Sequence, residues 1–419
     1  MNWANYPQNI RVRLITSFFN RSLTSAILPF MALYFTGQKG EVWAGTFLAL
    51  TVFAAIAGSI VGGYLSDRYT RKNVLLVSSS ISAAMFLMMT VSLFPVHQWV
   101  GLFAFAYVVY IVASGIGRPS MNAIIIDSTT FSNRKEIYAV EYWLTNLSMA
   151  IGTALGGLFY SRHQLGLFIC LSGIACCLPI AYRIWLQPSL VNTAGRHHRL
   201  FLFDVWSNYQ AALRDKTFVA AVLGSMCIYS AEFSLNSYIA VRLKAHFKTI
   251  HVDGFDLNGV RMLSLLNIEN MVIVVLLAFF ITKVMNRFNR LNVLRLGLIL
   301  YSVGYAVAAT ANHLVLLILV NAVAAIGELM YSPIAEAEKA NMMPPDKRGS
   351  YSAFAGLGFN GAELIARSSI IIGAYCAPAI MSVYIGGISF IGMGLLLITF
   401  RKMAFNRNQP GFYSESTDL

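Results

Sequence analysis

The sequence predicts an all-α membrane protein of twelve transmembrane helices. Of its 419 residues, 57% are hydrophobic and only 12% are charged, with a mean hydropathy of +0.63. A soluble chain carries about a quarter of its residues as charges. The apolar residues also gather into stretches of about 20, the length a helix needs to cross a hydrocarbon core of roughly 30 Å.

Taken in order, spans are expected at 14–36, 44–65, 73–96, 99–126, 138–160, 164–186, 217–240, 262–282, 292–312, 314–338, 350–374 and 379–400. Arg11 and Arg13 precede the first apolar run, as in a signal peptide. That run is too long, contains Asn20 and Arg21 and lacks a small-residue cleavage site, so it reads as the first span. The domains expected are an N-terminal six-helix half (1–186), a cytoplasmic linker (187–216), a C-terminal six-helix half (217–400) and a cytoplasmic tail (401–419). A short amphipathic helix is expected in the linker around Phe203 to Leu213.

Lys and Arg collect in alternate connections: Arg68, Arg71 and Lys72; Arg134 and Lys135; Arg196, Arg199, Arg214 and Lys216; Lys283, Arg287 and Arg290; Lys347 and Arg348; then Arg401, Lys402 and Arg407. Basic residues stay on the cytoplasmic side, which puts both termini inside. The net charge of +13 follows from this bias facing anionic headgroups and does not indicate a nucleic-acid partner. Arg242, Lys244, Lys248 and Arg261, after the seventh span, fall on the expected outside. They read as a solvated loop, with a gate or a substrate-attracting rim as the alternative.

The five cysteines have no metal-ligand spacing and read as packing residues. No G-x-x-x-x-G-K-[ST] loop occurs and no soluble stretch is long enough for an ATPase, so a gradient or a partner chain must supply energy. The histidines fall mostly in loops, and no nucleophile sits beside a base. An enzyme or a sensor is therefore the weaker class of reading beside transport.

Sliding the second half by 219 residues sets Asp67, Arg68, Arg71, Asn73, Val74 and Leu75 on Asn286, Arg287, Arg290, Asn292, Val293 and Leu294. An offset of 214 sets Pro119, Asp127 and Arg134 on Pro333, Asn341 and Arg348. Both matches lie at equivalent topological positions, which argues for duplicated halves. The acids Asp67 and Asp127 become amides in the second half, and amides cannot titrate. An ionisable network is thus expected on the cytoplasmic face of the first half alone, or else simple drift between the halves.

The segment Gly62-Gly63-Tyr64-Leu65-Ser66-Asp67-Arg68-Tyr69-Thr70-Arg71-Lys72 resembles the loop signature G-x-L-(S/A)-D-R-x-G-R-(K/R) of the major facilitator superfamily. Gly63 is expected to let two helices approach. The resemblance implies the major facilitator fold, with Asp67, Arg68 and Asp127 latching the cytoplasmic side. Thr70 replaces the signature's second glycine.

Asn122 to Asp127, Glu141-Tyr142-Trp143 with Asn146-Leu147-Ser148, Phe247 to Ile250, Arg261-Met262-Leu263 and Gly327 to Pro333 further resemble LmrP-type multidrug transporters of the drug:proton antiporter group. That resemblance places Arg13, Asp67, Lys72, Asp127, Glu141 and Glu328 at positions of proton coupling or cationic-drug recognition. Where it expects an acid in the seventh span the chain has Asn236, with Glu232 one turn earlier. The first, seventh and tenth helices line the cavity in this fold, which selects Arg21, Glu232 and Glu328.

Placing Asp, Lys or Arg at a helix centre costs about 2.5–3.5 kcal/mol, so ionisable residues within spans must face protein or water. These are Arg21, Glu141, Glu232, Glu269, Glu328, Glu363 and Arg367. Glu363 and Arg367, four residues apart, suit an intramembrane pair or a gate. Glu328 is the leading substrate residue, because a carboxyl in an apolar cavity can exchange a proton for a cation.

The function expected is proton-driven export of an amphipathic small molecule from the cytoplasmic membrane of a bacterium. It needs no cofactor beyond the proton gradient and no obligate protein partner. Arg21 suits an anionic or zwitterionic substrate unless it is a counter-ion. A dedicated exporter of a metabolite such as a siderophore, or a lipid flippase, therefore stands as the alternative.

Overall fold

The structure, a computed structural model, describes residues 6–94, 99–128, 131–160, 162–188, 212–252, 255–285, 287–343 and 348–407. The side chains of Asp67 and Asp127 lie outside the description, as do linker residues 189–211 and with them most of the amphipathic helix expected there. The elements are α1 (Gln8–Lys39), α2 (Glu41–Arg68), α3 (Arg71–Ser92), α4 (Val100–Ser128), α5 (Phe131–Phe159), α6 (Gln164–Trp185), α7 (Lys216–Phe233), α8 (Tyr238–His246), β1 (Ile250–Val252), β2 (Phe255–Leu257), α9 (Gly259–Met285), α10 (Arg290–Ala308), α11 (Leu314–Asn341), α12 (Arg348–Tyr375) and α13 (Pro378–Arg407).

Among the described residues nine segments are long and apolar enough to cross a membrane, α7 and α8 counting together as one. The helices α1, α5 and α12, of 32, 29 and 28 residues, are equally long. They carry Arg13 and Arg21, Glu141, and Glu363 and Arg367, which lower their hydropathy.

Side chains fix several helix starts. Thr70 accepts from the Asn73 amide at 3.3 Å, Asp215 from the Thr217 and Phe218 amides at 3.1 and 3.0 Å, and Asn289 from the Leu291 amide at 2.9 Å. Each satisfies donors that a helix N-terminus leaves open. Thr70 sits at φ −62°, ψ 140°, so the position that is glycine in the signature acts here as an N-cap in extended backbone.

The seventh span differs from the unbroken helix expected over 217–240. It breaks at a 3₁₀ turn, Ser234–Asn236, and resumes as α8 to His246. The Ser230 and Ser234 hydroxyls donate to the Cys227 and Ser230 carbonyls, both at 2.7 Å, a local competition that weakens the helical ladder. Arg242 and Lys244 consequently lie on a helix rather than in a solvated loop. Arg242 is only 4% exposed, and Lys244 Nζ donates to the Leu33 carbonyl at 3.0 Å. Beyond it, β1 and β2 form an antiparallel hairpin with Ile250 opposite Leu257 and His251 opposite Asp256.

The chain folds into two compact units, Met1–His198 with Ala240–Val275, and Arg199–Ile239 with Leu276–Leu419. In the first, α2 packs on α4 through Gly62, where a Cβ would meet the Ile116 carbonyl oxygen at 2.4 Å; a Cβ on Gly63 would meet no neighbouring element within 4 Å among the described residues. Gly62, not Gly63, therefore makes the close approach, because the rotation of α2 turns that position toward α4. In the second unit, Gly297 and Gly327 bring α10 and α11 together, a Cβ on either meeting the other's carbonyl within 2.9 Å. Gly62→Ala should lower stability in detergent by about 1–3 kcal/mol through overpacking. Gly63→Ala should be neutral or stabilising, since alanine is the better helix former. Thermal unfolding of the two variants side by side checks the contrast.

Candidate functional site

The second unit holds an acidic, tyrosine-lined centre. Glu232, the next-to-last residue of α7 before the 3₁₀ turn, accepts a hydrogen bond from the Tyr301 hydroxyl of α10 at 3.0 Å. Tyr301 is fully buried and packs edge-on against Tyr305 and Tyr331, with ring centroids 4.9 and 5.0 Å apart. Glu328 of α11 is within electrostatic range of Glu232 and of the same tyrosines. Both carboxylates are partly exposed. Two such groups repel when both are ionised, and the repulsion grows as the dielectric falls. A proton or a bound cation between them removes it.

Tyr229, one turn before Phe233 on α7, extends this centre toward the C-terminal end of α11. Its hydroxyl donates to the Glu336 carboxylate, and its ring lies beside Phe233 and Phe359 at 6.5 and 6.2 Å. Lys339 Nζ sits 2.6 Å from Glu336 Oε1 and 5.4 Å from the centroid of the Tyr229 ring. Asn236 lies in the 3₁₀ turn and Glu269 on α9. On α12, Arg367 pairs with Glu363 one turn away, their side chains 12% and 29% exposed.

The first unit holds a cation-rich counterpart. Arg13, buried within α1, donates to Glu141 of α5 at 2.5 Å and through Nε to the Met121 carbonyl at 3.2 Å. Arg21, two turns on, stands 3.5 Å from the same carboxylate and donates to Ser17 Oγ at 3.3 Å. Phe18 and Thr145 help to line the small recess around these three charges. Arg21 thus has an acid beside it.

At the signature loop, Arg68 donates to the Tyr64 hydroxyl at 2.5 Å, Arg71 to Ser66 Oγ at 2.8 Å, and Lys72 to the Arg183 carbonyl of α6 at 2.8 Å. The last contact sets a cation at the negative end of a helix.

Sequence reasoning missed a polar cluster on the hairpin. Asp256 accepts from His251 Nδ1 at 2.5 Å and from Arg162, while Arg261 donates to the Asp256 carbonyl at 2.5 Å. The His251 hydrogen bond, and then the positive charges of Arg162 and Arg261, hold the Asp256 carboxyl below the usual carboxylate range. A depressed acid contributes stability above its unfolded pKa, which is lost as pH falls through the folded value. The hairpin amides should therefore keep their hydrogen-exchange protection from pH 7 to about 4, the ordinary aspartate range, and lose it below. In Asp256→Asn that protection should already be weakened at pH 7.

The profile of the Major Facilitator Superfamily matches residues 14–268 and 254–412. A Na(+), Li(+), K(+)/H(+) antiporter of Planococcus maritimus is 24% identical over 393 residues, covering 90% of this chain and 92% of that protein. The multidrug resistance protein MdtH of Yersinia enterocolitica is 24% identical over 342 residues, covering 79% of this chain and 78% of the relative. In three dimensions, a POT family transporter solved with 5-aminolevulinic acid superposes with a TM-score of 0.75 at 13% identity, over 96% of this chain and all of that one, a likeness of fold alone.

Proposed function

Because the chain belongs to the Major Facilitator Superfamily, a family of multi-pass membrane transporters of small molecules rather than enzymes, we propose that it is a proton-coupled exporter of amphipathic organic cations. The observation that carries this reading is the nearness of Glu232 and Glu328 among buried tyrosines. Deprotonated, the pair attracts a cation; a proton arriving from outside neutralises one carboxyl and weakens that attraction, releasing the cargo. Alternating access would expose the centre to one side at a time, so proton entry and cation exit are linked through competition for one negative charge. The multidrug resistance relative supports a drug-like organic cargo. The chain would sit in the cytoplasmic membrane of a bacterium with both termini inside, on the distribution of its basic loops.

The second reading is exchange of an inorganic monovalent cation for protons, favoured by the Planococcus relative. Carboxylate and hydroxyl oxygens suit hard cations. Export of an anionic metabolite or a lipid is less favoured, since Arg21 lies beside Glu141.

One reconstituted system tests these readings. Proteoliposomes with an imposed pH gradient are given a fluorescent lipophilic cation, Na⁺ or K⁺. Gradient-dependent movement of the organic cation is the expected result. Movement of Na⁺ or K⁺ alone would transfer the centre to the second reading, and movement of neither would end both.

A further inference from the structure

We propose that the segment from α8 through the hairpin to the start of α9 is a clasp that lets go of α1 and α5 during transport, with the Arg162–Asp256 ion pair as its catch. The proposal rests on membership of a transporter family and not on the cation reading above.

Ala240–Val275 falls by sequence in the expected second half, 217–400, yet it packs within the first unit. A segment placed in this way ties one half to the other at one end of the bundle, and alternating access requires each end to be untied in turn. That end is the one opposite the signature loop, since α1 finishes there at Lys39 and α5 at Phe159, whereas α2 runs back to the loop at Arg68.

The clasp is a single body. A Cβ on Gly259 would meet the Leu243 carbonyl oxygen at 2.0 Å, so α8 and α9 touch backbone to backbone. The Arg261 amide donates to Asn258 Oδ1 at 3.0 Å, its guanidinium donates to the Asp256 carbonyl, and β1 pairs with β2. His251 holds Asp256 from within the clasp, which leaves the second carboxylate oxygen for Arg162.

Its grip on the other elements is lighter. Lys244 Nζ donates to the Leu33 carbonyl near the C-terminal, negative end of α1. Where α9 crosses α5, Ser264 meets Gly157, so parting them there breaks little apolar packing. Arg162, just beyond α5, is 57% exposed and Asp256 33% exposed. An exposed pair of this kind biases an equilibrium by no more than about fivefold. A catch of that strength favours closure and still opens.

Pulsed electron-spin distances between nitroxide labels at His163 and Lys248, both exposed, test the catch in the full chain with its native cysteines replaced. In lipid nanodiscs the parent should show a major short and a minor long separation. Asp256→Ala and Arg162→Ala should each raise the ratio of long to short about three- to fivefold, and the double variant should add nothing, because one pair is lost either way. An unchanged distribution in both variants, or increases that multiply in the double one, overturns the catch. Should Asp256→Ala fail to fold, Arg162→Ala decides by itself, since its side chain is the more exposed.

Bridging Arg162→Cys to Asp256→Cys with a bifunctional thiosulfonate tests the release. In proteoliposomes the bridged protein should lose gradient-driven movement of the lipophilic cation, Na⁺ or K⁺, whichever the unbridged form carries, and regain it with reductant. Transport that continues through the complete bridge overturns the clasp. If the unbridged form carries none of the three, the cation reading falls and the spin-label distances alone decide the clasp.

Discussion

Glu328→Gln is expected to reduce pH-gradient-driven efflux of a lipophilic cation by about 30-fold, since losing a contact to a charged group costs about 1.5–3 kcal/mol. The amide preserves shape and hydrogen bonding but can neither release a proton nor attract a cation. Glu232→Gln should show the same loss, although the Tyr301 hydroxyl can still donate to the amide oxygen and keep the side chain in place. If the two acids form one centre, the double variant should be little worse than either single one, because losses within a unit do not add. Two independent losses that multiply would show separate sites. Counterflow of the cation without a gradient distinguishes lost binding from lost proton coupling.

Glu141→Gln is expected to destabilise the first unit by about 3–5 kcal/mol, the cost of leaving a buried charge without its partner. Arg13 is 1% exposed and loses its carboxylate partner, whereas Arg21, 40% exposed, can turn to water. Replacing Arg13 by Met at the same time should recover much of that loss, since an apolar pair of similar volume often matches a buried ion pair. Thermal unfolding in detergent, measured alone and in combination, gives the coupling energy. A Glu141→Gln variant as stable as the parent would mean that water reaches this recess freely.

Much of the fold is legible in the sequence because the bilayer imposes a length and a polarity on every span. The long polar helices α1, α5 and α12 fall on expected spans, and their charges mark where they face protein or water. Contacts that depend on helix rotation are less legible. Gly62 and Gly63 are adjacent and identical in letter, yet only one meets α4. Glu232 and Glu328 are suspect on cost alone, whereas the grip of Glu336 and Tyr229 on Lys339 needs the register of α7 against α11. The hairpin had a local signal in Asp253-Gly254 between short apolar runs, of the kind that favours two-residue turns. Thr70 followed three residues later by a polar Asn73 was likewise a readable helix start.

The interruption at Ser234–Asn236 makes the seventh span a jointed lever instead of a rod. Its second arm, the nine residues Tyr238–His246, reaches about 14 Å at 1.5 Å per residue. Lys244, near its far end, is fastened to the Leu33 carbonyl of the first unit, while Glu232 before the joint is fastened to Tyr301 of the second. The seventh span thus gives Glu232 to one compact unit and Lys244 to the other.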